Sequence, residues 1–366
     1  MQIKSLIKEL ELLAPIQLQE EYDNCGLLAG NPEWECSGVL VTLDVTEKVV
    51  EEASAKGINL IVAHHPIIFK GLKKITYSGN YVERILLKAI KADVAIYAIH
   101  TNLDNILSGV NHTIADRLSL TGRRPLLSKG NLLKKLVFFV PPSHSEIVRT
   151  AIFSAGGGRL GNYAECSFYH SGTGTFKPLD GAKPFSGEQD KRSTDKEERV
   201  EVHFPTWLEA SVLGAMKSAH PYEEVAYDII SVGNALKEYG SGLVGHLEEE
   251  MTEKDFLERL KGGFGLKIIR HSALTGKKVR KVAVCGGAGA FLTRNAMREN
   301  ADVFVTSDLK YHDFFEADNR ILLIDIGHWE SEQYTSDLLL KRLIEKFPTF
   351  AVQKSGEITN PVHYFL

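Results

Sequence analysis

The stretch Leu60-Ile61-Val62-Ala63-His64-His65-Pro66 sets two imidazoles at the end of a short apolar run. Such a run, with two β-branched residues, predicts a buried strand, and Pro66 ends it abruptly. A buried strand carries its last side chains to a fixed place. Successive residues of a strand point to opposite faces, and Pro66 biases His65 toward an extended backbone, so both rings serve one site only where the chain turns. Two histidines satisfied at a strand end are the plain alternative, which only the rest of the chain decides.

At 366 residues the chain is long enough for two or three domains. With 43% hydrophobic and 25% charged residues it has the composition of an ordinary globular protein. A net charge of −4 weighs against a protein built to bind nucleic acid through its phosphates. Cys25, Cys36, Cys166 and Cys285 are far apart and form no C-x-x-C pair, which argues against a disulfide framework or a thiolate zinc site and points to a reducing compartment. Met1 to Pro15 reads as a short amphipathic helix without the features of a leader, and no apolar run is long enough to span a membrane. A cytoplasmic location is expected.

In chain order, Asp23-Asn24 before Gly26 reads as a turn, Val39 to Asp44 as a strand, and Thr46 to Lys56 as a helix with Thr46 at its N-cap. The His-His strand follows, so this is a βαβ unit with parallel strands. Asn80 to Ala92 has helical periodicity and leads into the strand Val94 to Ile99, which ends in His100-Thr101-Asn102-Leu103-Asp104. Open parallel sheets place ligand sites at the carboxyl ends of their strands, which makes Asp104 a third ligand candidate and His100 a fourth ligand or a supporting group.

From Leu132 the pattern changes to strand, helix, two strands, helix and strand, an α+β module of β-α-β-β-α-β outline. Within it, Lys177 to Glu198 is polar and charged and reads as an exposed loop, and His220-Pro221-Tyr222-Glu223-Glu224 as a helix-ending turn in preference to a site. The first pattern then returns. Lys281 to Cys285 matches Val39 to Leu43, Val303 to Val305 matches Leu60 to Ala63, and Arg320 to Ile324 matches Val94 to Ile99. Two pseudo-repeated α/β lobes with a module inserted between them are expected. The glycine-rich turn Gly286-Gly287-Ala288-Gly289 suits either an anion cradle or tight strand-to-helix packing.

His328 and Glu332, four apart at the start of a predicted helix, share one face. With His64, His65 and Asp104 they make three imidazoles and two carboxylates, more than one closed tetrahedral ion requires. They suit two ions bridged by a carboxylate or a water, and nitrogen and oxygen ligands admit Zn, Fe, Mn or Co.

Ile61 to Pro66, His100 to Asp104, Ser307 to His312 and Gly327 to Glu332 together resemble the motifs of the GTP cyclohydrolase I type 2 homologues, the NIF-three-like family. The resemblance covers 1–128 plus 237–366, and 129–236 resembles the inserted CutA/PII-like α+β ferredoxin-like module of its longer members. It implies two α/β lobes around a central metal site in which His64, His65, Asp104, His328 and Glu332 hold two divalent ions (Zn, Fe or Mn) per chain. It also implies a toroidal homohexamer, a trimer of dimers, capped by the inserted modules. The function expected on that basis is a hydrolase acting on GTP or a related heterocycle through a metal-bound hydroxide, with His100 and His312 as proton-transfer or substrate groups. A metal-binding ring without turnover, serving as regulator, metal-handling protein or interaction scaffold, is the second reading, and DNA binding through a central hole a weaker third.

Overall fold

The computed structural model describes residues 1–365. It divides into two compact units, Met1–Lys129 with the chain from Lys237 onward, and Gly130–Leu236. The strands of the early chain are β1 (Gly26–Ala29), β2 (Val39–Thr42), β3 (Leu60–Ala63), β4 (Ala95–Ala98) and β5 (Thr121–Ser128). Those of the second unit are β6 (Leu133–Val140), β7 (Ser167–Phe176), β8 (Ser193–Pro205) and β9 (Tyr227–Val232). The late chain adds β10 (Gly240–Thr252), β11 (Arg270–His271), β12 (Lys278–Ala288), β13 (Val303–Ser307), β14 (Leu322–Asp325) and β15 (Val352–Lys354).

The first unit is mixed α/β and holds two sheets, of order β1-β4-β3-β2-β15 and β11-β14-β13-β12-β10-β5. In each, three consecutive strands are parallel, β2-β3-β4 in one and β12-β13-β14 in the other. These strands are apolar without alternation because both faces are covered, and every residue of β2, β3 and β4 is buried. Helices Glu47–Ala55 and Tyr81–Lys91 lay Val49, Val50, Ala53, Ile85, Leu86 and Ala89 on the first sheet. Their starts are fixed locally. Thr46 Oγ1 accepts from the Val49 N–H, and Asn80 and Glu83 form a reciprocal capping box.

In the second unit the strands form an antiparallel sheet of order β7-β8-β6-β9, with helices Ser145–Ser154 and Glu209–Ala219 packed on it through Val148, Ile152, Val212 and Met216. The chain order is β-α-β-β-α-β. The loop expected over Lys177 to Glu198 is shorter than its composition suggests, because Ser193 to Glu198 pairs with Phe176 to Ser171 and extends β8. Charged side chains are compatible with strand there because that part of the hairpin faces solvent on alternate residues. His220 ends the second helix as a turn residue, its Nε2 bonded to the Phe139 carbonyl at 2.9 Å.

Among the described residues no helix is long and apolar enough to cross a membrane. Asn80→Ala removes the side-chain half of the capping box and leaves the residue-80 amide donating to Glu83; it should cost about 1 kcal/mol of stability, read as a lowered midpoint in urea unfolding, whereas Asn80→Asp should retain most of it.

Candidate metal centre

Strand ends of both sheets of the first unit deliver the polar residues. β3 ends in His64 and His65, and the turn after β4 carries His100 into a short helix, Thr101–Asp104. Asp308 follows β13, and the five-residue helix His328–Glu332 follows β14. The helix that starts at His328 is interrupted after Glu332 and resumes as Thr335–Lys346. His328 and Glu332 still lie one turn apart, with Glu332 buried and aimed inward.

Each imidazole is held by its δ nitrogen. His64 Nδ1 donates to the Ile99 carbonyl at 2.8 Å, His65 Nδ1 to Asp44 at 2.7 Å, and His328 Nδ1 to Asp308 at 2.7 Å. A carbonyl or carboxylate oxygen only accepts, so the proton of each neutral ring sits on Nδ1 and the lone pair on Nε2. Those lone pairs converge. His65 Nε2 is 3.0 Å and His328 Nε2 3.1 Å from Glu332 Oε2, and the two nitrogens are 3.3 Å apart. Ligand atoms bonded at about 2.1 Å to one ion lie roughly 3.0–3.4 Å apart, from octahedral to tetrahedral geometry. The separations match.

Across the cluster, His64 Nε2 and Asp104 Oδ1 are both buried without a hydrogen-bond partner, and they face each other at 3.7 Å. Glu332 Oε1 is 3.9 Å from the same His64 nitrogen, so the carboxylate reaches both sides of the cluster. Buried polar atoms without partners are costly, and a shared cation removes the cost. The donor set therefore fits a metal ion. His100 stands in the same relation, with Nδ1 at 2.9 Å from Asp23 Oδ1 and its ring close enough to His64 and His65 to share an ion.

Charge follows the geometry. Burial alone would lower the pKa of His65, but Asp44 and Glu332 override it and raise it to about 10. His328, between Asp308 and Glu332, is raised to about 11 against the same burial. Glu332 is held well below the usual carboxylate range, its burial outweighed by the imidazoles that donate to it. Burial, aided by Glu332 and opposed by the imidazoles, pushes Asp104 up to about 6. Protons thus fill the role of the cation when none is bound.

The Gly286-Gly287 turn packs and does not cradle an anion. Its amides are already used: Gly286 N–H donates to Asn111, Gly287 N–H to Ser331 and Gly289 N–H to Thr306. Gly287 has φ +64°, and a Cβ there would meet Glu332 Oε1 at 2.4 Å. The glycine leaves room for the carboxylate.

The structure brings His64, His65, His100, Asp104, His328 and Glu332 to one cavity of about 680 Å³, which Tyr22, Phe69, Phe291, Trp329 and Arg270 help to wall, although His64 itself lies behind the surface. His312 is not among them. It is exposed, and its ring contacts Tyr311 and Phe315. Asp23, Asp44 and Asp308, which orient the rings, were not among the candidate site residues, although Asp308 lies in the Ser307 to His312 motif. Position is the signal for two of them, since Asp44 and Asp308 lie just past parallel strands.

The fold and the site together define an α/β protein with a histidine–carboxylate cluster able to hold a metal ion. Comparison makes this specific. The model of the family described as Duf34/NIF3 (NGG1p interacting factor 3) matches residues 1–361, and the chain belongs to that family. A Bacillus subtilis protein named GTP cyclohydrolase 1 type 2 homolog is 42% identical over 328 residues, covering 89% of this chain and 88% of that one. A Staphylococcus epidermidis protein of the same name is 34% identical over all of both chains. Among solved structures, a Bacillus cereus protein related to NIF3 superposes with a TM-score of 0.85 at 37% identity, over 100% of this chain and 99% of that one.

Two outcomes follow. Because His65 and His328 are protonated at neutral pH without a cation, an ion entering between them displaces about two protons. Its affinity should therefore rise steeply from pH 7 toward pH 9 and fall below pH 7, and calorimetry in buffers of different ionisation enthalpy should count the released protons. Gly287→Ala should displace Glu332 and lower metal affinity at least about tenfold, and Asp308→Asn should lower it about 10- to 100-fold, both measured by competition with a chromogenic chelator.

Proposed function

We propose that the protein is a metal-dependent hydrolase of the GTP cyclohydrolase 1 type 2 kind, acting on a nucleotide or a related heterocycle. The observation that carries the reading is the convergence of pinned imidazoles and buried carboxylates at the wall of a cavity large enough for such a substrate. His65, His328 and Glu332 would hold one divalent ion and His64, Asp104 and Glu332 a second, Zn, Fe or Mn, with Glu332 shared between them. When bound, such ions supply Lewis acidity that activates water near neutral pH and neutralises charge on the attacked centre.

The residues of the chain do the rest. Asp44, Asp308 and the Ile99 carbonyl hold the rings in the required tautomer, so no reorientation is needed when substrate arrives. Trp329, Phe291, Phe69 and Tyr22 offer flat apolar surfaces for a purine-like ring, and Arg270 at the cavity edge offers a charge for a phosphate. Arg270 is already bonded to Asp325 at 3.0 Å, which fixes its direction. His100, held by Asp23, is placed to move a proton between the cluster and the substrate. His312 has no part in this arrangement.

Assembly into a toroidal homohexamer, a pseudo-repeat relating the two sheets, a CutA/PII-like character for the second unit and a cytoplasmic location belong to the same proposal. The matching order of the parallel strands supports the pseudo-repeat, and the β-α-β-β-α-β order supports the module.

Metal analysis by plasma mass spectrometry tests the reading first. About two ions per chain are expected in the wild type, falling toward none in His64→Ala and Glu332→Ala, with loss of turnover in a screen of GTP and other nucleotides followed by formate or product release. Turnover that persists in the metal-depleted variants would overturn the hydrolase. Full metal occupancy without turnover of any nucleotide would leave a metal-binding scaffold or regulator.

A further inference from the structure

The second unit has a cavity of its own, about 570 Å³, whose lining comes entirely from that unit. This is the size of a site for a small organic molecule. Its walls are aromatic. Phe139 lies on β6, Phe176 ends β7, Phe185 sits in the loop before β8, and Tyr222 follows the His220-Pro221 turn. The Phe185 and Tyr222 rings, both on the lining, are 5.9 Å apart and inclined at 47°, so they pack on each other as one aromatic wall.

The floor is open because of the β7 sequence. Gly172 and Gly174, two apart, share one face of the strand, so neither contributes a side chain to fill it. A Cβ at Gly174 would meet the Glu197 carboxylate at 2.0 Å, so the glycine admits that carboxylate to the cavity. The loop above is tied down, its Lys183 N–H donating to Glu223 at 2.7 Å and its Ser186 hydroxyl to Asp195.

The charge of the lining is one-sided. Glu197, Glu223 and Glu224 contribute three carboxylates, and among the described residues none of them is ion-paired with a lysine or arginine. Glu197 accepts a hydrogen bond from the Tyr222 hydroxyl at 3.0 Å, which leaves its charge uncompensated. Arg199, the guanidinium of the lining, is committed to Glu201. Aromatic faces and carboxylates attract the same kind of ligand, since the ring quadrupole and the formal charge both favour positive charge. A bare metal ion would find too few ligand atoms among these rings, and an anion would be repelled.

We propose that this cavity binds a monovalent organic cation, a primary or quaternary amine carried on an aromatic or branched apolar body. The site is separate from the metal cluster and does not depend on how that cluster functions.

Titration calorimetry on the full chain tests it, with benzyltrimethylammonium and tryptamine as cationic probes and benzyl alcohol and benzoate as neutral and anionic controls. Both cations should bind saturably at one site per chain, at least about tenfold tighter than benzyl alcohol, and more weakly as salt is raised. Phe185→Ala and Glu224→Gln, both at exposed side chains, should each weaken cation binding about tenfold while the thermal midpoint and metal content stay as in the wild type. Tyr222→Phe, which keeps the ring, should bind within a few-fold of the wild type. Absence of saturable binding by either cation, equal binding of benzyl alcohol or benzoate, or unchanged affinity in both Phe185→Ala and Glu224→Gln would overturn the proposal.

Discussion

Lone pairs of His65 and His328 3.3 Å apart, both turned on one carboxylate oxygen, repel one another unless positive charge lies between them. The carboxylates behind the rings make this unavoidable. With Asp44 and Asp308 accepting from the δ nitrogens, neither ring relieves the crowding by changing tautomer. The first unit thus folds around a demand for positive charge that protons on His65 and His328 meet, and that a metal ion held by the same atoms would meet in their place. A ligand that binds only the folded arrangement also stabilises it, so an ion held by this geometry would stabilise the unit.

The cluster is a long-range product. His65 and Glu332 are 267 residues apart in the chain, and each arrives at the end of a different parallel sheet. The group of His65, His328 and Glu332 needs both sheets. The first supplies His64, His65, His100 and Asp104; the second supplies His328, Glu332 and, through β13, the aspartate that orients His328. Strand rigidity is what makes this possible, because buried strands such as β3 and β13 have no freedom to let their terminal residues drift.

How much of this could be read in the sequence depends on where the signal is stored. Strand β3 was legible to the residue, because a run buried on both faces shows as continuous apolar residues and Pro66 marks its end. The helix starts at Thr46 and Asn80 were legible because capping is local chemistry. Asp44, Asp308 and Asp23 were not, since an aspartate just after a strand, or in the turn before β1 like Asp23, looks like ordinary turn chemistry until the ring it holds is seen. Strand β10 and helix Glu253–Phe264 carry no motif, and their place is set by pairing with β5 and β12 and by burial of Phe256, Leu260 and Phe264. His312 sits in a motif with ligand-type residues, yet the turn Tyr311–Ala317 directs it away from the cavity, which spacing alone does not reveal.

An inserted unit of this size is tolerated because of where it joins. Ser128 at the end of β5 pairs with Gly240 at the start of β10, and the Lys129 N–H donates to the Tyr239 carbonyl at 2.9 Å. The two ends of the insertion are therefore fixed next to each other by the first unit itself. Loop-closure entropy rises only slowly with the length of the loop, and here the closing pair belongs to a six-stranded sheet. The parallel strands β12, β13 and β14 lie beyond β10 in that sheet, so the two points where the chain leaves and rejoins the first unit belong to antiparallel strands and not to those that end at the cluster.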